Sequence, residues 1–251
     1  MSKNFELLQQ VDKMFGVAEP VPAAPVAPME APPASTPSLH VAGTARDEIT
    51  KLVQRLFLTQ GGTDAPRTIV LSSTEGGNGS SWLCARIGEL LASQVNRTVC
   101  LVDCNFRNPS LHKEFGLENQ FGLSEALMQN SGVRQYLQPL ARPNLWLMTS
   151  GAPTEGGLAL LGSDRMRFRL QELRNEFDYV IVDAAALDAG NDGIVLGGLT
   201  DGTVLVLRAS TSRRDSARKA VHELQAAGVV IRGVVLNRRV FPIPEAIYRR
   251  L

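Results

Sequence analysis

Three segments of this sequence carry residue types that could do chemistry together. The first is Glu75-Gly76-Gly77-Asn78-Gly79-Ser80-Ser81, preceded by Ser72-Ser73-Thr74. Clustered glycines let successive backbone N–H groups turn to one side, and a helix starting just after them adds partial positive charge, so the run suits a phosphate. A loop of the form Gly-x-x-x-x-Gly-Lys-Ser/Thr sets its lysine on the β- and γ-phosphates and its hydroxyl on Mg2+. Here Gly79-Ser80-Ser81 keeps the glycine and the hydroxyl but has serine at the lysine position, and moving the frame back puts Gly79 there instead. By itself the run reads equally as a strand-to-helix turn.

The other two segments are apolar runs that end in an acid, Cys100-Leu101-Val102-Asp103 and Tyr179-Val180-Ile181-Val182-Asp183. An aspartate ending a buried strand can hold Mg2+ directly or through water. It can also simply cap the helix that follows. Two such aspartates beside a glycine loop point to a nucleotide-type site. The residues placed against a nucleotide are Gly76, Gly77, Asn78, Gly79, Ser80, Ser81 and Trp82, and those placed toward Mg2+ are Ser81, Asp103 and Asp183. Glu75 at the mouth opposes this, because it sets negative charge beside a polyphosphate.

The elements that must position these residues alternate along the chain. Strands are expected over 68–71, 98–102, 145–149, 179–182, 203–208 and 231–236, and helices over 46–59, 81–93, 124–128, 164–176, 192–199 and 213–227. The first helix shows Ile49, Leu52, Val53, Leu56 and Phe57 on one face. Continuous apolar runs such as 179–182 and 202–207 suit strands buried on both faces, which calls for a mostly parallel α/β sheet with helices on both faces. In such a sheet ligands bind beyond the carboxyl ends of the strands, and the glycine loop, Asp103 and Asp183 all fall on that rim.

Outside this unit the composition changes. Residues 1–16 carry Phe5, Leu8, Val11 and Phe15 at helical spacing, a short amphipathic helix too small to be stable alone, which reads equally as a fraying tail or as a docking helix for a partner's groove. Residues 17–43 form a proline- and alanine-rich linker, with seven of the fourteen prolines between 17 and 38. The α/β domain covers 44–240, and 241–251 is a basic tail with one tyrosine, Tyr248. A net charge of +1 gives no field that points to nucleic acid. Cys84, Cys100 and Cys104 show neither disulfide nor zinc spacing and read as small buried hydrophobes of a reducing compartment. No secretory leader or apolar run of about 18 residues is present, so contact with a membrane is expected to run through another chain.

The order and wording of these segments resemble the bacterial tyrosine kinases of polysaccharide synthesis, within the deviant P-loop ATPases that also include partitioning and cell-division-site proteins. The specific part is 103–117, with its arginine, Pro109-Ser110-Leu111-His112 and Phe115-Gly116-Leu117; 177–183 is similar to the family's Walker B strand, and 201–208 and 233–237 to its last two strands. The resemblance implies a P-loop fold, ATP and Mg2+, autophosphorylation of a C-terminal tyrosine cluster and ring-like homo-oligomers. It also implies work at the inner face of the plasma membrane with a chain-length or co-polymerase protein.

Several positions depart from that pattern. Serine replaces the loop lysine, Asn105 stands where the family has a second aspartate, and Ala184-Ala185-Ala186 replaces Thr-Pro-Pro. Glu48, Lys51 and Gln54 stand for Glu-x-x-Arg-x-x-Arg, and Tyr248 for the cluster. Loss of the lysine and of a carboxylate removes several kcal/mol of transition-state stabilisation, on the order of three decades in rate. Residual catalysis would fall to Asp103 and Asp183 with Tyr248 as acceptor, and Arg86 or Arg107 could replace the missing cation. The expectation is a kinase-like regulatory subunit of exopolysaccharide assembly and export. The alternatives are an active autokinase or ATPase of that pathway and a positioning-type ATPase.

Overall fold

The structure, a computed structural model, describes residues 43–58, 65–153 and 156–239. The docking helix expected over 1–16, the linker up to residue 42 and the tail with Tyr248 lie outside the described residues. The described part opens with helix α1, Gly43–Val53, which runs on through a π-helical turn, Gln54–Leu58. Strand β1, Thr68–Ser73, leads through the glycine loop into α2, Ser80–Gln94, and β2 is Val99–Asp103. Helices α3, Leu111–Glu114, and α4, Leu123–Met128, precede two strands, β3, Gln138–Pro139, and β4, Leu145–Met148. Then come α5, Gly157–Leu160, α6, Asp164–Glu176, and β5, Tyr179–Asp183. The last elements are α7, Asp192–Gly198, β6, Thr203–Arg208, α8, Arg214–Ala226, and β7, Ile231–Asn237.

The strands form one sheet in the order β3-β4-β2-β5-β1-β6-β7, parallel except for β3, which pairs antiparallel with β4. Side-chain alternation divides the core into two layers. Ile69, Leu71, Leu101, Ile181 and Val204 pack with Val53 of α1, Phe57 of the π-helical turn, and Ile87 and Leu91 of α2. Val70, Cys100, Val102, Val180 and Val182 pack on the other face with Leu127, Leu170 and Leu173 of α4 and α6. The doubly covered α/β sheet expected from the apolar runs is therefore what forms, and all three cysteines are free and buried in it.

Two features differ from the expectation. The short elements α3, α5, the 3-10 turn Val133–Tyr136 and β3 were not foreseen, because runs of two to four residues show no periodicity. Strand β7 is not covered on both faces: Val234 and Leu236 stand 53% and 54% exposed. No described helix is long and apolar enough to cross a membrane.

Candidate functional site

The glycine loop lies where β1 hands over to α2, next to the carboxyl ends of β5 and β6. Gly77 and Gly79 take φ of +80° and +88°, a left-handed turn that favours glycine. Gly79 is also the N-cap of α2 and offers no side chain to the first-turn N–H groups, which stay free for a ligand. A Cβ on Gly76 or Gly77 would meet nothing within 4 Å, so the mouth of the loop is open.

The loop is braced from outside. Asn78 is buried, and its Nδ2 donates to Thr74 Oγ1 at 3.1 Å and to Ser212 Oγ at 3.2 Å. Its carbonyl accepts from Asn237 Nδ2 at 2.9 Å, and Thr74 N donates to Val206 O. The Asn78 side chain is thus a bracket to β6 and the turn after it, and leaves only its backbone for a ligand. Trp82 packs half-buried against the core of the α1–α2 layer.

Asp103 and Asp183 are register neighbours on adjacent strands, both fully buried. Their surroundings differ. Asp103 Oδ1 accepts from Asn105 N at 3.1 Å, and Oδ2 accepts from Ser110 N and Leu111 N at 3.0 Å each. Burial lifts its pKa to about 6, with the three amides pulling the other way. Asp103 therefore fixes the turn into α3. Neither oxygen of Asp183 has a hydrogen-bond partner. Burial first, and then the Asp103 charge, push its pKa well above the carboxylate range. The hydroxyls of Ser81 and Ser80 stand close enough to favour the ionised form, short of hydrogen-bond geometry.

The cations considered as replacements for the lysine are held elsewhere. Arg86 is 1% exposed and lies between Glu89 at 2.9 Å and Glu114 at 3.3 Å, tying α2 to α3. Arg107 pairs with Asp192 at 3.0 Å across the rim and packs against Gly190, where a Cβ would meet its guanidinium at 2.5 Å. Glu48 and Lys51 pair with each other on the exposed face of α1.

The backbone cradle at an uncapped helix N-terminus fits a phosphate, and the orphaned Asp183 carboxylate with the nearby Ser81 hydroxyl fits the oxygen-donor chemistry of Mg2+. No group of three or more His, Cys, Asp or Glu among the described residues could hold a metal, so a bound Mg2+ would also need oxygens from its phosphate ligand and water. The lysine position, Ser80, is buried and uncharged.

Sequence reasoning passed over Ser212 and Asn237, the outer braces of the loop. It also passed over Glu125, a buried carboxylate that accepts from Gly122 N at 2.7 Å, Ser124 Oγ at 2.9 Å and Ala152 N at 3.2 Å, pinning the end of β4 to α4. Gly122 at position i and Glu125 at i+3 before an apolar run carried that signal in the sequence. A cleft of about 420 Å3 lined by Phe106, Pro109, Ser150 and Leu158 opens beside it at the rim.

No family model matches the chain. The tyrosine-protein kinase YwqD of Bacillus subtilis is 30% identical over 171 residues, 68% of this chain and 72% of that protein. The tyrosine-protein kinase ptk of Acinetobacter johnsonii is 26% identical over 159 residues, where the chain spans 22% of the relative's length. In three dimensions the kinase domain of Escherichia coli tyrosine kinase ETK superposes with a TM-score of 0.72 at 23% identity, over 80% of each chain. The fold is that of the P-loop ATPases, and the chain belongs to the bacterial tyrosine-protein kinase family.

Proposed function

We propose that this chain is a kinase-fold regulatory subunit that binds nucleotide but does not transfer phosphate at a useful rate. It works in exopolysaccharide assembly, at the inner face of the plasma membrane, with a chain-length or co-polymerase protein. One observation carries the loss of catalysis: the lysine position holds a buried serine, while Arg86 and Arg107 are both committed to other carboxylates. Phosphoryl transfer depends on positioning and charge neutralisation, so a site whose nearby acids outnumber its cations is poorly suited to it.

Nucleotide binding needs less. The free N–H groups of the loop and of the first turn of α2 would hold phosphate oxygens. Ser81 and Asp183 would hold Mg2+, which would neutralise phosphate charge. Asp103 would act at one remove, by fixing the turn that closes the rim. Membership in the family and the proline-rich linker of 17–43 support a tethered role, since a tether raises the effective concentration of whatever it joins.

The reading predicts a specific genetic pattern in the cell of origin. Deleting the gene abolishes or shortens the polymer, whereas Tyr248→Phe leaves it unchanged. Loss of polymer in Tyr248→Phe equal to that in the deletion would contradict the proposal.

A further inference from the structure

The outer wall of the loop carries a cation that the motif does not contain. At the end of β7, Arg238 has φ of +54°, one of two described non-glycine residues in the left-handed region. Asn237 sets that conformation: its Oδ1 accepts from Arg238 N at 2.8 Å while its Nδ2 donates to Asn78 O at 2.9 Å. The turn is thereby fastened to the loop. A Cβ on Gly79 would meet Asn237 Nδ2 at 2.6 Å and Arg238 Nε at 4.0 Å, so the guanidinium lies directly beside the loop glycine. Arg238 is exposed, and no described carboxylate holds its guanidinium.

Two independent features at the same place point to a ligand. The N-terminus of the 15-residue helix α2 is uncapped at Gly79. The fully buried Asp183 has no hydrogen-bond partner and lies near the Ser80 and Ser81 hydroxyls that begin α2. A polyphosphate with its counter-cation answers both, and the one element missing from the loop is a positive side chain.

We propose that Arg238 supplies the cation that the loop lacks, so that the site takes a nucleoside diphosphate or triphosphate between backbone amides and this guanidinium. The proposal rests on the nucleotide-binding part of the function proposed above. It concerns affinity: an arginine on the outer wall does not restore a carboxylate at Asn105. A guanidinium suits the task because its planar fork can give two parallel hydrogen bonds to one phosphate, which an ammonium cannot. The sequence hides the arrangement, since Asn237 and Asn78 stand 159 positions apart.

The test is isothermal titration of the full chain with ADP in Mg2+ and, separately, with adenosine. The wild type binds ADP more tightly than adenosine. Arg238→Ala weakens ADP by about tenfold or more and leaves adenosine unchanged, and Arg238→Lys falls between. Arg218→Ala, an exposed arginine on α8, binds ADP as the wild type does. Equal ADP affinity in Arg238→Ala and wild type would overturn the proposal. So would equal weakening by Arg238→Ala and Arg218→Ala, or a wild type that prefers adenosine or binds no ADP. Phosphate transfer is a separate readout. Transfer that depends on Arg238 would keep this proposal and sink the non-catalytic reading, whereas no ADP binding and no transfer would do the reverse.

Discussion

The two ends of one sheet treat their aspartates in opposite ways. At the amino end, Asp201 Oδ2 accepts from Arg67 N and Thr68 N at 2.8 Å each, and Oδ1 pairs with Arg174 at 3.0 Å. Asp178 accepts from Thr98 N at 2.9 Å and Thr98 Oγ1 at 3.0 Å. Burial works to raise the pKa of Asp201, but the two amides and Arg174 outweigh it, and the Thr98 amide holds Asp178 low as well. At the carboxyl end, Asp103 has three amides and no ion pair, and Asp183 has only the nearby Ser80 and Ser81 hydroxyls, short of hydrogen-bond geometry. Satisfied acids stabilise a fold, and unsatisfied ones burden it. The amino end is built for stability, whereas the carboxyl end keeps a buried carboxylate without a hydrogen-bond partner.

Substitutions can break this contrast, beginning with the largest expected effect. Asp201→Ala orphans two N–H groups and frees Arg174, a loss of about 2–4 kcal/mol, or roughly 5–12 °C in Tm by thermal melt. Asp201→Asn sharpens the point through pH. Because the folded pKa of Asp201 is lowered, its stabilisation is present above the unfolded value near 4 and is lost as pH falls through the folded value. The variant therefore loses less Tm than the wild type between about pH 5 and pH 3.

Asp183→Asn acts with the opposite sign. A carboxyl whose folded pKa is raised contributes stability below the unfolded value near 4 and loses it as pH rises through the folded value. Removing the charge should raise stability at pH 7–8 by about 1–3 kcal/mol, and the gain should vanish near pH 4. Denaturant midpoints at the two pH values would check it.

Gly79→Ala sets a Cβ into Asn237 Nδ2 at a left-handed position and should destabilise by about 1–2 kcal/mol through the Asn237–Asn78 bracket. Smallest is Glu48→Ala, which removes an exposed pair from α1 and should leave the Tm unchanged.

Much of the fold was legible in the sequence, for a physical reason. Strands β1, β2, β5 and β6 are buried on both faces along most of their length, so their apolar runs are unbroken. The partial exposure of β7 was not legible, because Val234 and Leu236 read as buried whether or not a helix covers them. The rim position of the loop and both aspartates could be read from strand ends alone. Their difference could not: Asp103 and Asp183 close similar runs, and what separates them is two amides seven and eight residues beyond Asp103 that fold back onto it. The sequence offers Arg86 as a cation, but Glu89 and Glu114, one turn and one helix away, hold it.

The central claim is that the loop lost phosphoryl transfer together with its lysine. Transfer from γ-labelled ATP in Mg2+, followed by mapping of the labelled residue, tests it most directly on the wild type and on Ser80→Lys. The account predicts background label on the wild type, with any gain confined to Ser80→Lys. Label on Tyr248 of the wild-type chain that vanishes in Tyr248→Phe would contradict it.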